Sequence, residues 1–326
     1  MRLKSFDLNL LMVLDALLAE RSTTRAAKRL NVSQPSVSNA LARLRAYFED
    51  DLLTHVGHRL IPTTLGESLK DSVHELVVRA SATLDRRPGF NPRDSTRTFT
   101  LMGSDYASAV LIAEVARRAE ELAPGVSFEI RRLEYPAHEQ IESGEIDLLV
   151  MPEMYLSRNH DQETLYSETF VCVIWRGNTR VQDEIGIDDL SKLRHVIADP
   201  GASLGRMPNI IDRWFDDHIG WRRRIAARVV DFTAIPQFVR GTNRVAIVHG
   251  RLAQYCAAEY ELKILPLPVS MPLINISMQW HRLRSSDSGV QWLRSLMKTV
   301  ALAQGSGLAA KLVEAAVRAP AKRRSS

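Results

Sequence analysis

The stretch from Ser22 to Arg45 constrains this chain more than any other. Ser22 or Thr23 supplies an N-cap, a side-chain oxygen that accepts a free backbone N–H at a helix start. The short helix it caps is expected over residues 24–30 and contains Ala26-Ala27. Asn31-Val32-Ser33 then reads as a turn, with Ser33 as a second N-cap. Pro35 falls in the first turn of the next helix, where its missing N–H costs nothing. There Val37, Leu41 and Leu44 share one face with Ala40 between them, while Gln34, Ser36, Ser38, Asn39, Arg43 and Arg45 share the other. Small side chains and a tight turn let the two helices approach closely, which is the helix-turn-helix arrangement. Residues 33–47 contain no acid. The polar types present suit a duplex: Asn and Gln pair with adenine, Arg with guanine, and Ser with bases or phosphates.

The flanking sequence extends this module. Phe6, Leu10, Leu14, Leu17 and Leu18 predict a helix over residues 7–19. Residues 51–62 read as two short strands around Gly57, a wing whose His58 and Arg59 are set to meet a phosphate or the minor groove. Leu65, Leu69, Val73, Leu76, Ala80 and Leu84 then recur at coiled-coil spacing. Such a helix packs on its own domain or pairs with the same helix of a second chain. Pro88 ends it, and Asn91-Pro92-Arg93-Asp94-Ser95 reads as a hinge.

At 326 residues the chain has room for two or three domains. Its net charge of +5 permits an anionic partner without requiring one. Cys172 and Cys256 lie far apart among apolar residues, so neither a disulfide framework nor a zinc site is expected. The basic start is followed by Asp7, Asn9 and Asp15, which interrupt the apolar run of a signal peptide. No stretch reaches the ~18 apolar residues of a membrane span. A cytoplasmic protein with no cofactor or metal is the expectation.

Beyond residue 97, apolar runs at 98–102, 126–130, 146–151, 170–175, 195–198, 229–230, 245–248, 264–267 and 274–278 read as strands. Helical patterns at 107–122, 208–218 and 233–240 lie between several of them. The alternation predicts an α/β domain with an open, mostly parallel sheet and helices on both faces. Ligands bind beyond the carboxyl ends of such strands. That places Ser104, Asp105, Ser108, Leu133, Glu134, Met151 and Pro152 at a cleft, together with Thr169, Asp199, Asp231, Phe232, His249 and Arg251. Ser108 opens a helix whose free N–H groups suit an anion. Arg251 offers a two-pronged partner for a carboxylate or phenolate.

Gly201-Ala202-Ser203-Leu204-Gly205 matches the nucleophile elbow of a serine hydrolase, which makes Ser203 a candidate nucleophile. However, Asp199-Pro200 breaks the strand before it and Met207-Pro208 delays the helix after it. A small-solute-binding protein without regulatory output is a second alternative; the lack of a signal peptide and the N-terminal module weigh against it. Residues 304–326 end in Lys322-Arg323-Arg324 and read as a flexible basic tail.

Several of these runs carry a resemblance to a known family. Phe6-Asp7-Leu8-Asn9-Leu10-Leu11, Ala26-Ala27, the stretch from Leu30 to Ser38, Leu41, Leu44, Phe48 and Leu60 with Pro62-Thr63 resemble the LysR-type transcriptional regulators. The opening and Asn39 are most similar to the NodD/NahR-like branch, which includes regulators of nodulation and aromatic-compound degradation. Many family members carry arginine at the place of Asn39. The resemblance runs to about Leu302. It implies a winged helix-turn-helix over 1–62, a linker and dimerisation helix with its hinge over 63–95, and an effector domain over 96–303. That domain is expected to resemble the periplasmic solute-binding fold, with one lobe from 96–167 plus 272–303 and the other from 168–271. The chain would cross between the lobes near 167–170 and 268–272.

The resemblance also implies roles. Ser33, Gln34, Pro35, Ser36, Ser38, Asn39, Arg43 and the wing Arg59 would contact DNA. Ser104, Ser108, Asp231, Phe232 and Arg251 would contact a small-molecule effector, with Glu134 and His249 beside them. The implied partners are promoter DNA, an effector that is aromatic in this branch, a second or fourth copy of the chain, and RNA polymerase. Such a chain would be a regulator rather than an enzyme.

Overall fold

The computed structural model describes residues 6–56, 59–84, 89–133, 137–199, 210–220 and 222–304. The chain divides into two units, Met1–Pro88 and Gly89–Ser326.

The first unit contains helices α1 (Asn9–Glu20), α2 (Thr23–Arg29) and α3 (Gln34–Phe48). A hairpin of β1 (Leu53–Val56) and β2 (Arg59–Pro62) follows, then helix α4 (Thr64–Leu84). Leu14, Leu17, Ala26, Val37, Leu41 and Leu44 form its buried centre. Ala26 and Ala27 are fully covered, as close approach of α2 to its neighbours requires. Ser22 caps α2 by accepting from Arg25 N, and Ser33 caps α3 by accepting from Ser36 N. The apolar stripe of α4 is shared out along its length. Leu65, Leu69, Val73 and Val77 pack on the unit's own core, whereas Leu76 is 54% exposed. His74 Nδ1 lies 2.8 Å from Asp15 on α1 and fastens the two helices. Gly66 permits the turn into α4, since a Cβ there would lie 2.2 Å from the Leu52 carbonyl oxygen.

The second unit holds two five-stranded sheets. Its elements in chain order begin with β3 (Thr98–Gly103), α5 (Asp105–Ala107), a π turn (Ser108–Ile112), α6 (Ala113–Leu122), β4 (Ser127–Arg132), α7 (His138–Glu142), β5 (Leu148–Pro152) and β6 (Asp161–Glu168). Then come β7 (Phe170–Trp175), α8 (Ile187–Lys192), β8 (Arg194–Ala198), α9 (Ile210–His218), β9 (Arg224–Val229), α10 (Ile235–Val239) and β10 (Val245–His249). The last are α11 (Gly250–Ala257), β11 (Leu262–Leu265), β12 (Ile274–Trp280) and α12 (Ser288–Ala303). The first lobe has the strand order β4-β3-β5-β12-β6 and the second β11-β7-β10-β8-β9.

The two lobes expected from the family resemblance are present, but the strands were expected to run mostly parallel, and the structure corrects that direction. Each lobe has a parallel half, but β12 runs antiparallel to β5 and β6, and β7 antiparallel to β10 and β11. These antiparallel strands are those next to the crossings. The chain leaves the first sheet at Glu168 and enters the second at Phe170; it returns between Leu265 and Ile274. Strand β6 was not expected at all. It is an edge strand of sequence DQETLYSE, whose first half is largely exposed and polar.

Residues 91–95, expected as a hinge, fall within the second unit, and the residues on either side of them attach to it. The Phe90 ring lies 6.0 Å from Phe99 and 5.2 Å from Trp292, and its N–H donates to Ser288 Oγ. Arg97 extends this attachment through bonds to Asp287 at 2.7 Å and Asp147 at 2.9 Å.

Candidate functional site

Two surfaces carry the chemistry. On the first unit, Ser33, Gln34, Pro35, Ser36, Asn39 and Arg43 are exposed along α3 and Ser38 is half-buried. Gln34 Nε2 donates to Ser38 Oγ at 3.0 Å and to Thr23 Oγ1 at 3.4 Å, which holds it across the turn between α2 and α3. Ser33 Oγ lies 2.7 Å from Ser36 Oγ. Arg43 pairs with Asp7 at 3.2 Å. The Asn9 backbone N–H, followed by Arg43, holds the Asp7 carboxyl below the usual range. Arg59 opens β2 opposite Val56, and the hairpin tip at 57–58 lies outside the described residues.

Arg45, read from sequence as part of the polar face, belongs to the scaffold. Its guanidinium donates to the carbonyls of Asp51 at 2.9 Å and Leu53 at 2.7 Å. It anchors the start of the wing to the recognition helix.

On the second unit, a cavity of about 610 Å³ opens between the lobes. The first lobe contributes Ser104, Asp105, Tyr106, Ser108, Ile130, Arg132, Met151 and Tyr155; the second contributes Phe170, Ile211, Asp231, Phe232, Thr233 and His249. Most of the wall is apolar or aromatic, and the polar groups gather at the ends of β3, β4, β9 and β10. Ser104 caps α5 by accepting from Ala107 N, and Ser108 Oγ donates to the Ser104 carbonyl. The π turn starts at Ser108, an irregularity of a kind often found at functional sites.

His249 forms part of the cavity wall. Its ring stacks on Tyr106 with centroids 4.2 Å apart and lies 5.1 Å from Phe232 and 5.2 Å from Phe170. Burial pushes its pKa down to about 3, so the ring is neutral at ordinary pH. Its Nδ1 is buried with no hydrogen-bond partner among the described residues.

Beside the Tyr106–His249 stack, two polar contacts among the described residues bridge the lobes at the cavity. The Asp105 carboxylate accepts from Thr233 N at 2.7 Å and Thr233 Oγ1 at 2.8 Å. Arg132 pairs with Asp231 at 2.6 Å, and both remain solvent-exposed.

Of the expected effector contacts, Ser104, Ser108, Asp231, Phe232 and His249 line this cavity. Arg251 does not. Its guanidinium lies 3.9 Å over the Tyr166 ring and donates to Gln304, because the first turn of α11 directs it away from the cleft. Thr169 and Asp199 also lie off the wall. Glu134 and Ser203 fall outside the described residues. Sequence reasoning missed Tyr106, Arg132, Tyr155 and Thr233. A strand boundary at 132 instead of 130 would have delivered Arg132, and Thr233 follows directly on two residues that were named. Among the described residues no group of three His, Cys, Asp or Glu side chains is placed to hold a metal ion.

An acid-free helix face beside a wing, joined in one chain to a two-lobed α/β unit with an internal cavity, has the build of a ligand-responsive DNA-binding regulator. Comparison with known proteins agrees. Residues 8–67 match the bacterial regulatory helix-turn-helix proteins of the lysR family, and residues 92–302 match the LysR substrate binding domain. The chain belongs to the LysR family of transcriptional regulators.

It is 36% identical to Nodulation protein D 1 of Sinorhizobium fredii, over 91% of each chain. It is 37% identical to Nodulation protein D 1 of Mesorhizobium japonicum, over 91% of this chain and 94% of that one. Among solved structures, a probable transcriptional regulator from Pseudomonas aeruginosa matches at TM-score 0.62 and 25% identity, covering 91% of this chain and 98% of that one. Full-length CbnR complexed with its target DNA matches in fold at TM-score 0.55 and 16% identity, covering 91% and 100%. The chain is therefore a LysR-type regulator with an effector-binding domain, and the hydrolase and solute-carrier alternatives are set aside.

Proposed function

We propose that the protein is a cytoplasmic regulator that grips promoter DNA with Ser33, Gln34, Pro35, Ser36, Ser38, Asn39 and Arg43, with the wing Arg59 on the adjacent backbone. Two or four copies act together, joined through the part of α4 that carries Leu76, so that recognition helices read paired half-sites. A small aromatic effector occupies the cavity between the lobes, prefers one arrangement of them and shifts the population toward it. The DNA-bound complex then engages RNA polymerase. The observation that carries this reading is the exposed, acid-free face of α3, ordered by its own caps. The cavity supports the effector half: about 610 Å³ falls within the ordinary size of small-molecule sites, and its few polar groups sit among apolar walls.

The test is a footprint of the purified protein on DNA flanking its own gene, together with thermal shifts against a panel of hydroxylated aromatic compounds. Protection of a defined site, lost by Arg43→Ala at a cost of about 1–3 kcal/mol, and a compound that raises the melting temperature would support it. Uniform binding to competitor DNA would overturn the DNA half. A panel without a single shift would overturn the aromatic effector.

A further inference from the structure

Beneath the cavity lies a buried carboxyl that the reading above does not use. Glu168 is 0% exposed and is the last residue of β6, so Thr169 after it is the first crossing between the lobes. In register it faces Ile274, the first residue of β12, where the chain returns from the second lobe. One side chain thus stands at both crossings.

Its oxygens are fully engaged. Oε1 accepts from the backbone N–H of Thr169 at 2.9 Å and of Gly250 at 3.1 Å. Gly250 opens α11 of the second lobe, and its N–H also bonds to the Thr169 carbonyl at 2.9 Å. A Cβ at Gly250 would come within 3.3 Å of Glu168 Oε1, so the approach is close. Oε2 accepts from the hydroxyl of Tyr106, which stands on α5 of the first lobe. The other end of this chain of contacts is the cavity, where the Tyr106 ring stacks on His249. The crossing, the second lobe and the first lobe therefore meet on a single carboxyl, and the aromatic pair above it forms the cavity wall. Burying an acid is costly unless every oxygen is bonded. An apolar side chain would fill the same space but would join none of these three elements.

We propose that Glu168 is a positioning residue that fixes how the two lobes stand relative to one another, with Tyr106 as the arm by which the cavity reaches it. This deepens the two-lobed sensing reading and rests on it, but its test requires neither DNA nor effector. Failure of a footprint or of a ligand panel therefore leaves it untouched.

The experiment measures the distance between spin labels on the full-length protein. Labels at Thr299→Cys on α12 and Asp188→Cys on α8, both exposed positions, mark the two lobes. The native thiols Cys172 and Cys256 are buried, and burial raises their pKa to about 12 and about 11, so they react slowly. Labelled protein is diluted into unlabelled protein to suppress distances between copies. Tyr106→Phe removes only the first lobe's hydroxyl and keeps the ring stack. Glu168→Ala removes the carboxyl, and Glu168→Gln keeps an acceptor for both N–H groups. The distance distribution is expected to at least double in width in Tyr106→Phe and Glu168→Ala; Tyr106→Phe, which leaves Oε2 without its hydroxyl donor, is expected to stay folded with a melting temperature lowered by about 2–8 °C. Glu168→Gln is expected to restore a narrow distribution. A folded Tyr106→Phe with the parent's distribution overturns the proposal, and it decides the matter alone if Glu168→Ala does not fold.

Discussion

Burial holds His249 and His195 neutral in the folded protein, with pKa values pushed down to about 3 and about 4. In the unfolded chain both rings take up a proton near pH 6.5. Below that value the unfolded state binds protons that the folded state refuses. The stability owed to the neutral rings is therefore complete above about pH 6.5 and is lost as the pH falls toward the folded values. For His249 alone the loss by pH 5 is on the order of 2 kcal/mol. Phenylalanine fits the same aromatic stack beside Tyr106, Phe170 and Phe232 and carries no titrating group. A His249→Phe variant is thus expected to lose about 4–8 °C less in melting temperature than the parent between pH 7 and pH 5. Calorimetry at the two pH values checks this. Equal losses in the two proteins would show that the ring is not held neutral by burial.

At the scale of elements, Arg43 and Arg45 separate two roles that share one helix. Arg43 is exposed and, among the described residues, its side chain bonds to Asp7, also at the surface; such pairs contribute about 0–1 kcal/mol. Arg45 is half-buried and satisfies two carbonyls at the root of the wing. Arg45→Ala leaves those acceptors without their donor and is expected to destabilise the first unit by about 1–3 kcal/mol. Faster amide exchange over β1 and β2 and weaker DNA binding should accompany the loss. Arg43→Ala should weaken DNA binding with the wing's exchange unchanged, and the same exchange pattern in both variants would contradict the division. This is also where the sequence was and was not legible. Caps, Pro35 and the apolar spacing are local signals, and they placed α2, α3 and α4 within a residue or two. Which way Arg45 and Arg251 point depends on what packs against them, and residue order does not contain that. Strand direction is equally hidden in local pattern, so the antiparallel β7 and β12 were not foreseen. Edge strand β6 escaped because only its second half is buried. At the cavity, the strand-end rule found Ser104, Asp231 and His249 because it depends on topology alone.

In the second unit taken whole, the lobes are bridged at the cavity, beside the Tyr106–His249 stack, by two polar contacts of different character. The Asp105 carboxylate is half-buried and accepts two bonds from Thr233, whereas the side chains of Arg132 and Asp231 are 71% and 42% exposed. The first is expected to contribute to the closed arrangement, and Asp105→Ala to cost about 1–3 kcal/mol of stability. The second is worth less than about 1 kcal/mol in water and salt, too little to hold the lobes but enough to slow passage past it. A neutral aromatic ligand that makes no ion pair with Arg132 must open this contact on the way in and again on the way out. Arg132→Gln should therefore speed association and dissociation by the same factor, up to about fivefold, and leave Kd nearly constant. Stopped-flow fluorescence with N-phenyl-1-naphthylamine, an uncharged aromatic probe, measures both rates. If Kd instead rises tenfold through dissociation alone, Arg132 holds the ligand and does not gate it.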